Sequence, residues 1–250
     1  MSQIISIHSF RGGTGKSNTT ANLSALLARL GKRVAVVDTD IQSPGVHILF
    51  GMEEDAIGYS LNDYLWGNCS IEDAAYDVTD RLEGDVDGKI YLVPSSIKAG
   101  EIARILREGY DVGMLNDGFQ DLIEDLELDI LLIDTHPGLN EETLLSIAIS
   151  DTLLIILRPD YQDYQGTSVT VEVARKLEVP DLKLIVNKVP QVYDITDVKQ
   201  RVEQTYEAEV AAVLPHSDSM MALASAGIFG IKYPNHEITM MLQQVADSLV

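Results

Sequence analysis

A glycine-rich turn, Ser9-Phe10-Arg11-Gly12-Gly13-Thr14-Gly15-Lys16-Ser17, lies between a β-branched run and a stretch of helical periodicity. Ahead of it, Ile4, Ile5 and Ile7 predict a short buried strand. Behind it, Leu23, Leu26, Leu27 and Leu30 recur at helical spacing. Strand, glycine turn and helix N-terminus in that order make an anion cradle. Successive backbone N–H groups converge on one spot, and the helix dipole adds positive charge there. Lys16 is placed to reach β- and γ-phosphates, and the Ser17 hydroxyl to hold Mg²⁺. The segment implies a nucleoside triphosphate site, with Gly12, Gly13, Thr14, Gly15 and Asn18 as further binding residues. A glycine turn followed by a chance Lys-Ser pair is the bland alternative, and the flanking elements argue against it.

Two later segments supply carboxylates. The run Arg33–Val37 predicts a second buried strand ending in Asp38-Thr39-Asp40. Open α/β sheets bind their ligands beyond the carboxyl ends of their strands. Two carboxylates at i and i+2 would face the same way if the strand continued that far. The turn residues Ile41–Gly45 take the chain off the sheet. The competing reading, a strand-capping Asp followed by an exposed one, loses weight because the phosphate cradle stands one element earlier. The run Ile130–Ile133 then ends in Asp134 and continues Thr135-His136-Pro137-Gly138. A β-branched run ending in Asp beside such a cradle is the Walker B arrangement, which binds Mg²⁺, usually through water. His136 stays outside this mechanism, because Mg²⁺ prefers oxygen and a single histidine here reads as a loop or interface residue.

Further strands are expected at Lys89–Val93, Leu153–Leu157, Leu182–Val186 and Ala212–Leu214, with a helix from about Gln165 to Lys176. The region between Gly51 and Gly88 predicts only short helices and loops, and no function is drawn from it. Strand-like and helix-like stretches alternate along the chain without a linker, repeat or low-complexity tract. A chain of 250 residues buries roughly three-quarters of its unfolded surface. One domain over residues 1–250 is expected, with a doubly wound, mostly parallel sheet flanked by helices.

Arg11 ahead of the double glycine, the D-x-D-x-Q stretch of Asp38, Asp40 and Gln42, and the D-T-x-P-G run from Asp134 resemble the ParA/MinD family of deviant Walker A ATPases. The resemblance covers nearly the whole chain, with its motifs in the family's order. Two loop positions depart from pattern. Phe10 stands where the general P-loop has glycine, and Arg11 stands where the family has lysine. By resemblance, the fold is that of a SIMIBI-like P-loop NTPase and the reaction is Mg²⁺-dependent ATP hydrolysis. The matches assign Asp38 to the Mg²⁺ shell with Ser17 and Asp134, Asp40 to orienting water, and Gly138 to the γ-phosphate. Asn187 is implied at the adenine edge and Pro215 against the base. Arg11 would act across a homodimer formed in the ATP state, and its planar fork suits phosphate oxygens. The alternative for Arg11 is an ordinary ion pair with a nearby carboxylate. Family members are slow, partner-stimulated switches that position chromosomes, plasmids, division sites or organelles, so an activating or adaptor protein is implied.

Composition limits the partners. Lys and Arg number 18 against 39 Asp and Glu, a net charge of −21 that disfavours nonspecific DNA as a partner. A lone Cys69 excludes an intrachain disulfide and fits a reducing cytoplasm, where this chain is expected. Met1-Ser2-Gln3 runs straight into the first strand, which leaves no room for a signal peptide, and no apolar stretch approaches membrane-spanning length. Ile238, Met241, Leu242, Val245 and Leu249 form one apolar stripe, but no Lys or Arg follows Lys232. A basic membrane-targeting helix is therefore not expected, and the stripe is read as packing on the domain.

Other classes meet obstacles. A metal-cluster carrier needs paired cysteines, and a bacterial tyrosine kinase needs a tyrosine-rich tail, whereas Tyr233 is the last tyrosine. A small-molecule synthetase or ligase, or a nucleotide-dependent scaffold with little turnover, stays open.

Overall fold

The structure is a computed structural model that describes residues 2–82 and 86–250. Met1, where the leader reading begins, and residues 83–85 of the region 51–88 lie outside the described residues. The strands are β1 Gln3–His8, β2 Arg33–Asp38, β3 Tyr76–Asp77, β4 Lys89–Val93, β5 Ile130–Asp134, β6 Thr152–Leu157, β7 Asp181–Val189 and β8 Glu209–Pro215. The longer helices are α1 Lys16–Arg29, α2 Ala99–Glu108, α3 Gly113–Asp125, α4 Glu141–Ala148, α5 Tyr161–Lys176, α6 Ile195–Tyr206 and α7 Glu237–Asp247.

The strands form one eight-stranded sheet in the order β3-β4-β2-β5-β1-β6-β7-β8. All neighbours are parallel except the β3–β4 edge pair. Parallel strands need crossovers, and these carry helices to both faces. Strand alternation then sorts the core. Ile5, Ile7, Val34, Val36, Leu132 and Leu154 face one side and pack with α1 and α7. Ile4, Val37, Leu131 and Ile133 face the other side with α3, while Leu153, Ile155 and Val186 meet α5 and α6 there.

Helix α1 is buried far beyond its leucine stripe. Thr19, Thr20, Asn22 and Ser24 are buried as well. Their side chains are satisfied locally: Thr19 Oγ1 donates to Gly15 O at 3.0 Å and Asn22 Nδ2 to Asn18 O at 2.7 Å. Buried polar groups that find partners in this way avoid the desolvation penalty of unpaired ones. The C-terminal apolar stripe packs as expected, with Ile238, Leu242, Val245 and Leu249 buried against the α1 face. Helix α5 begins at Tyr161, four residues before the expected Gln165. Asp160 caps it, its side chain accepting the Asp163 N–H at 3.0 Å, a polar start that apolar periodicity does not reveal.

Among the described residues no helix is long and apolar enough to cross a membrane.

Candidate active site

The carboxyl ends of β1, β2, β5, β7 and β8 converge on the glycine turn. Gly15 closes that turn with φ of +102°, a left-handed conformation. A Cβ there would also overlap Asn187 Nδ2, so glycine is required on two counts. Lys16 opens α1 and is buried. Its Nζ lies 2.9 Å from Asp134 Oδ1 and 3.8 Å from Asp40 Oδ2. Ser17 Oγ donates to Asp134 Oδ2 at 2.7 Å, and Thr20 Oγ1 donates to Asp134 Oδ1 at 3.0 Å. Thr20 is a member of this cluster that the loop motif does not announce. It sits one helical turn beyond Lys16, on the same face.

Asp38 and Asp134 pair across β2 and β5 in register. The strand stops at Asp38, so the alternation expected to align Asp38 with Asp40 does not extend to Asp40. The Asp38 carboxylate turns into its own loop, accepting the N–H groups of Asp40 at 3.0 Å, Gly45 at 3.1 Å and Val46 at 3.3 Å. Complete burial, reinforced by the Asp134 charge, raises its pKa to about 7. Asp40 points elsewhere: its Oδ1 accepts from His136 Nδ1 at 2.7 Å. His136, expected from the sequence to be a loop or interface residue, stands against Asp40 in the structure.

His8, at the end of β1, is fully buried and lies 2.8 Å from Thr135 Oγ1 through Nδ1. Burial, then the Lys16 charge, lowers its pKa to about 3. It is a neutral wall of the site and not a cation for phosphate.

Gly138 directs its N–H to Ser9 O at 3.1 Å. Asn187 donates from Nδ2 to Thr14 O at 2.8 Å and accepts the Lys188 N–H on Oδ1 at 2.8 Å. Lys188 Nζ in turn donates to Gly13 O at 2.8 Å, so β7 braces the loop from a second side. Beside Gly15 opens a cavity of about 250 Å³, lined among others by Asn18, Asn187, Pro215, Met220 and Leu242. Its methionine and leucine wall comes from segments that carry no motif.

Arg11 stands at the rim, 39% exposed, with Nη1 3.3 Å from Asp163 Oδ1 and 3.5 Å from Asp160 Oδ1. Within this chain it therefore makes the ordinary ion pair that was its alternative reading. Asp163 is buried and also receives Arg158 Nε at 3.1 Å. Gly12 has open space around it.

Phe10 finds its place against α5. A Cβ on Gly166 would overlap the Phe10 ring, so the residue that departs from the glycine pattern depends on a glycine in the helix beside it. Gly166→Ala should gain up to about 1 kcal/mol of helix propensity, yet the overlap must push Phe10 and the turn outward. Weaker ATP affinity by about tenfold, near 1.4 kcal/mol, is expected in a calorimetric titration. Unchanged affinity would separate Phe10 packing from the turn's geometry.

A divalent cation can be tested against these donors. Ser17, Asp134 and Asp38 offer only hard oxygen atoms. That combination fits Mg²⁺, which takes one or two protein oxygens and completes its shell with water and substrate phosphates.

Comparison with known proteins gives the family. A family model described as an AAA domain, AAA_31, matches residues 2–185. An uncharacterized ATP-binding protein of Methanocaldococcus jannaschii is 29% identical over 251 residues, spanning 100% of this chain and 88% of that protein. The septum site-determining protein MinD of Bacillus subtilis is 28% identical over 194 residues, 76% of this chain and 66% of its own. The structure of MinD from Pyrococcus horikoshii, complexed with Mg-ADP, superposes with a TM-score of 0.82 at 23% identity, covering 100% of this chain and 96% of that one. The chain belongs to the AAA_31 family of P-loop ATPases, of the MinD/ParA type.

Proposed function

We propose that this chain binds ATP with Mg²⁺ at the crevice, pairs with a second copy while ATP is bound, and hydrolyses the γ-phosphate as a switch. The observation that carries this reading is the convergence of Lys16, Ser17, Asp40 and Asp134 at the carboxyl edge of the sheet, next to a cavity of a size to take a base. The cargo class follows the family: a chromosome, plasmid, division site or organelle positioned through a partner that stimulates turnover.

In this proposal Lys16 exchanges the Asp134 carboxylate for phosphate oxygens, joined by the amides of Gly12, Gly13, Thr14 and Gly15. Ser17 and Asp134 hold Mg²⁺, with Asp38 behind them fixing the 40–46 loop through its three N–H bonds. Mg²⁺ when bound neutralises charge on the phosphoryl oxygens. Asp40 orients the attacking water. Gly138 releases Ser9 O and offers its N–H to the γ-phosphate. Asn187 keeps one Nδ2 hydrogen for the adenine edge, since its amide carries two, while Asn18 and Pro215 line the base cavity.

Arg11 leaves Asp160 and Asp163 to reach the partner's nucleotide. Arg158 stays paired with both carboxylates, at 3.1 Å to each, so neither is left without a cation by that exchange. Arg11→Ala is expected to bind ATP but to stay monomeric and hydrolyse slowly, read by light scattering and phosphate release. Parental dimerisation and turnover would remove the trans contact from the proposal.

A further inference from the structure

We propose that His136 is a positioning residue for the hydrolytic step, holding one oxygen of Asp40 so that the other stays turned toward Lys16. This rests on the reading of Asp40 as the residue that orients water. The contact is short, 2.7 Å from His136 Nδ1 to Asp40 Oδ1. A carboxylate only accepts, so the ring N–H sits on Nδ1. The opposite oxygen, Oδ2, lies 3.8 Å from Nζ of Lys16, the residue proposed to bind the γ-phosphate.

Asp40 needs such a hold. It lies two residues beyond the end of β2, where no sheet ladder fixes it. The other donor to Oδ1, the Ser43 N–H, is 3.3 Å away. With one oxygen pinned by a ring, rotation about the carboxylate's own bonds no longer moves the other freely.

His136 is itself well anchored. It stands two residues past β5, and the following Pro137 confines its backbone to extended conformations. Its carbonyl accepts Thr143 Oγ1 at 3.2 Å from the first turn of α4. The side chains are 20% and 10% exposed for His136 and Asp40, so water competes little for the bond. The pair also joins two loops that leave neighbouring strands, since Asp38 and Asp134 are register partners. The nucleotide contacts proposed above, from Lys16, Ser17 and the turn amides, do not involve His136. Its loss should therefore affect turnover and spare binding.

Steady-state kinetics of His136→Ala, His136→Asn and Asp40→Ala with Mg-ATP test the proposal. His136→Ala is expected to lower kcat by about ten- to a hundredfold, the cost of misplacing a reacting group by about an ångström. KM for ATP and the ATP-dependent increase in mass should stay within about twofold of the parent. His136→Asn, whose Nδ2 can stand in for ring Nδ1, should recover most of the rate, which a folding defect would not allow. A parental kcat in His136→Ala, an Asn variant no faster than Ala, or a loss confined to KM overturns the positioning role. A parental rate in Asp40→Ala, or no turnover in the parent chain, removes the hydrolytic reading of Asp40 and this proposal with it.

Discussion

Replacing Asp40 with alanine is expected to slow phosphate release by about 10²- to 10⁴-fold, the range typical of a lost acid–base group, while ATP binding survives. The groups that hold phosphate and metal in the proposed mechanism, Lys16, Ser17 and Asp134, keep their contacts without Asp40. The carboxylate is 10% exposed and its pairing with Lys16 is long, at 3.8 Å. Its removal therefore leaves the shorter Lys16–Asp134 pair intact, and the crowding of Asp38, Asp40 and Asp134 around one ammonium is eased. Dimerisation driven by ATP and reversed by hydrolysis should then stall in its bound state. Mg-ATP should convert the variant to a long-lived dimer in light scattering. A variant that turns over like the parent would remove Asp40 from the chemistry.

Lys16→Ala should abolish nucleotide binding, with affinity falling by about 100-fold or more, because charged hydrogen bonds are worth about 1.5–3 kcal/mol each. It should also destabilise the fold. Lys16 is buried, and it is the cation against Asp134, which is 0% exposed. Removing one partner of such a buried pair costs about 3–5 kcal/mol. Ser17 and Thr20 still donate to Asp134, but neutral donors offset only part of that loss. Urea unfolding should show a lower midpoint, and calorimetry on the folded fraction should show no ATP uptake. ATP affinity equal to the parent's would place the phosphates elsewhere.

Those residues could be read from the chain because their signals are local. Ile4, Ile5 and Ile7 before the turn and the apolar run up to Asp134 each announce a buried strand, and buried parallel strands need continuous apolar stretches. The turn's glycines and Lys16 sit at fixed spacing because backbone amides must close on a phosphate. Other parts of the site depend on contacts far apart in sequence. His136 and Asp40 are 96 positions apart and meet only because β2 and β5 are neighbours. Phe10 reads as an oddity until Gly166 is placed beneath it. Met220 and Leu242 line the cavity from helices whose periodicity reports only burial. Asp38 illustrates the opposite problem, a local signal with a nonlocal outcome. Its position at the strand end is as expected, but the backbone turn that follows brings the N–H groups of Asp40, Gly45 and Val46 onto its carboxylate, which therefore serves its own loop. Among the described residues between Gly51 and Gly88 the elements are short helical turns and a two-residue strand, too short for a period to register.

The most direct test of an ATP-driven, hydrolysing switch is the mass of the parent chain in light scattering with Mg-ATP and with Mg-ADP, alongside phosphate release. A mass that doubles with Mg-ATP, stays monomeric with Mg-ADP and decays as phosphate appears is the expected result. One mass in both nucleotides, with no phosphate released, would contradict it.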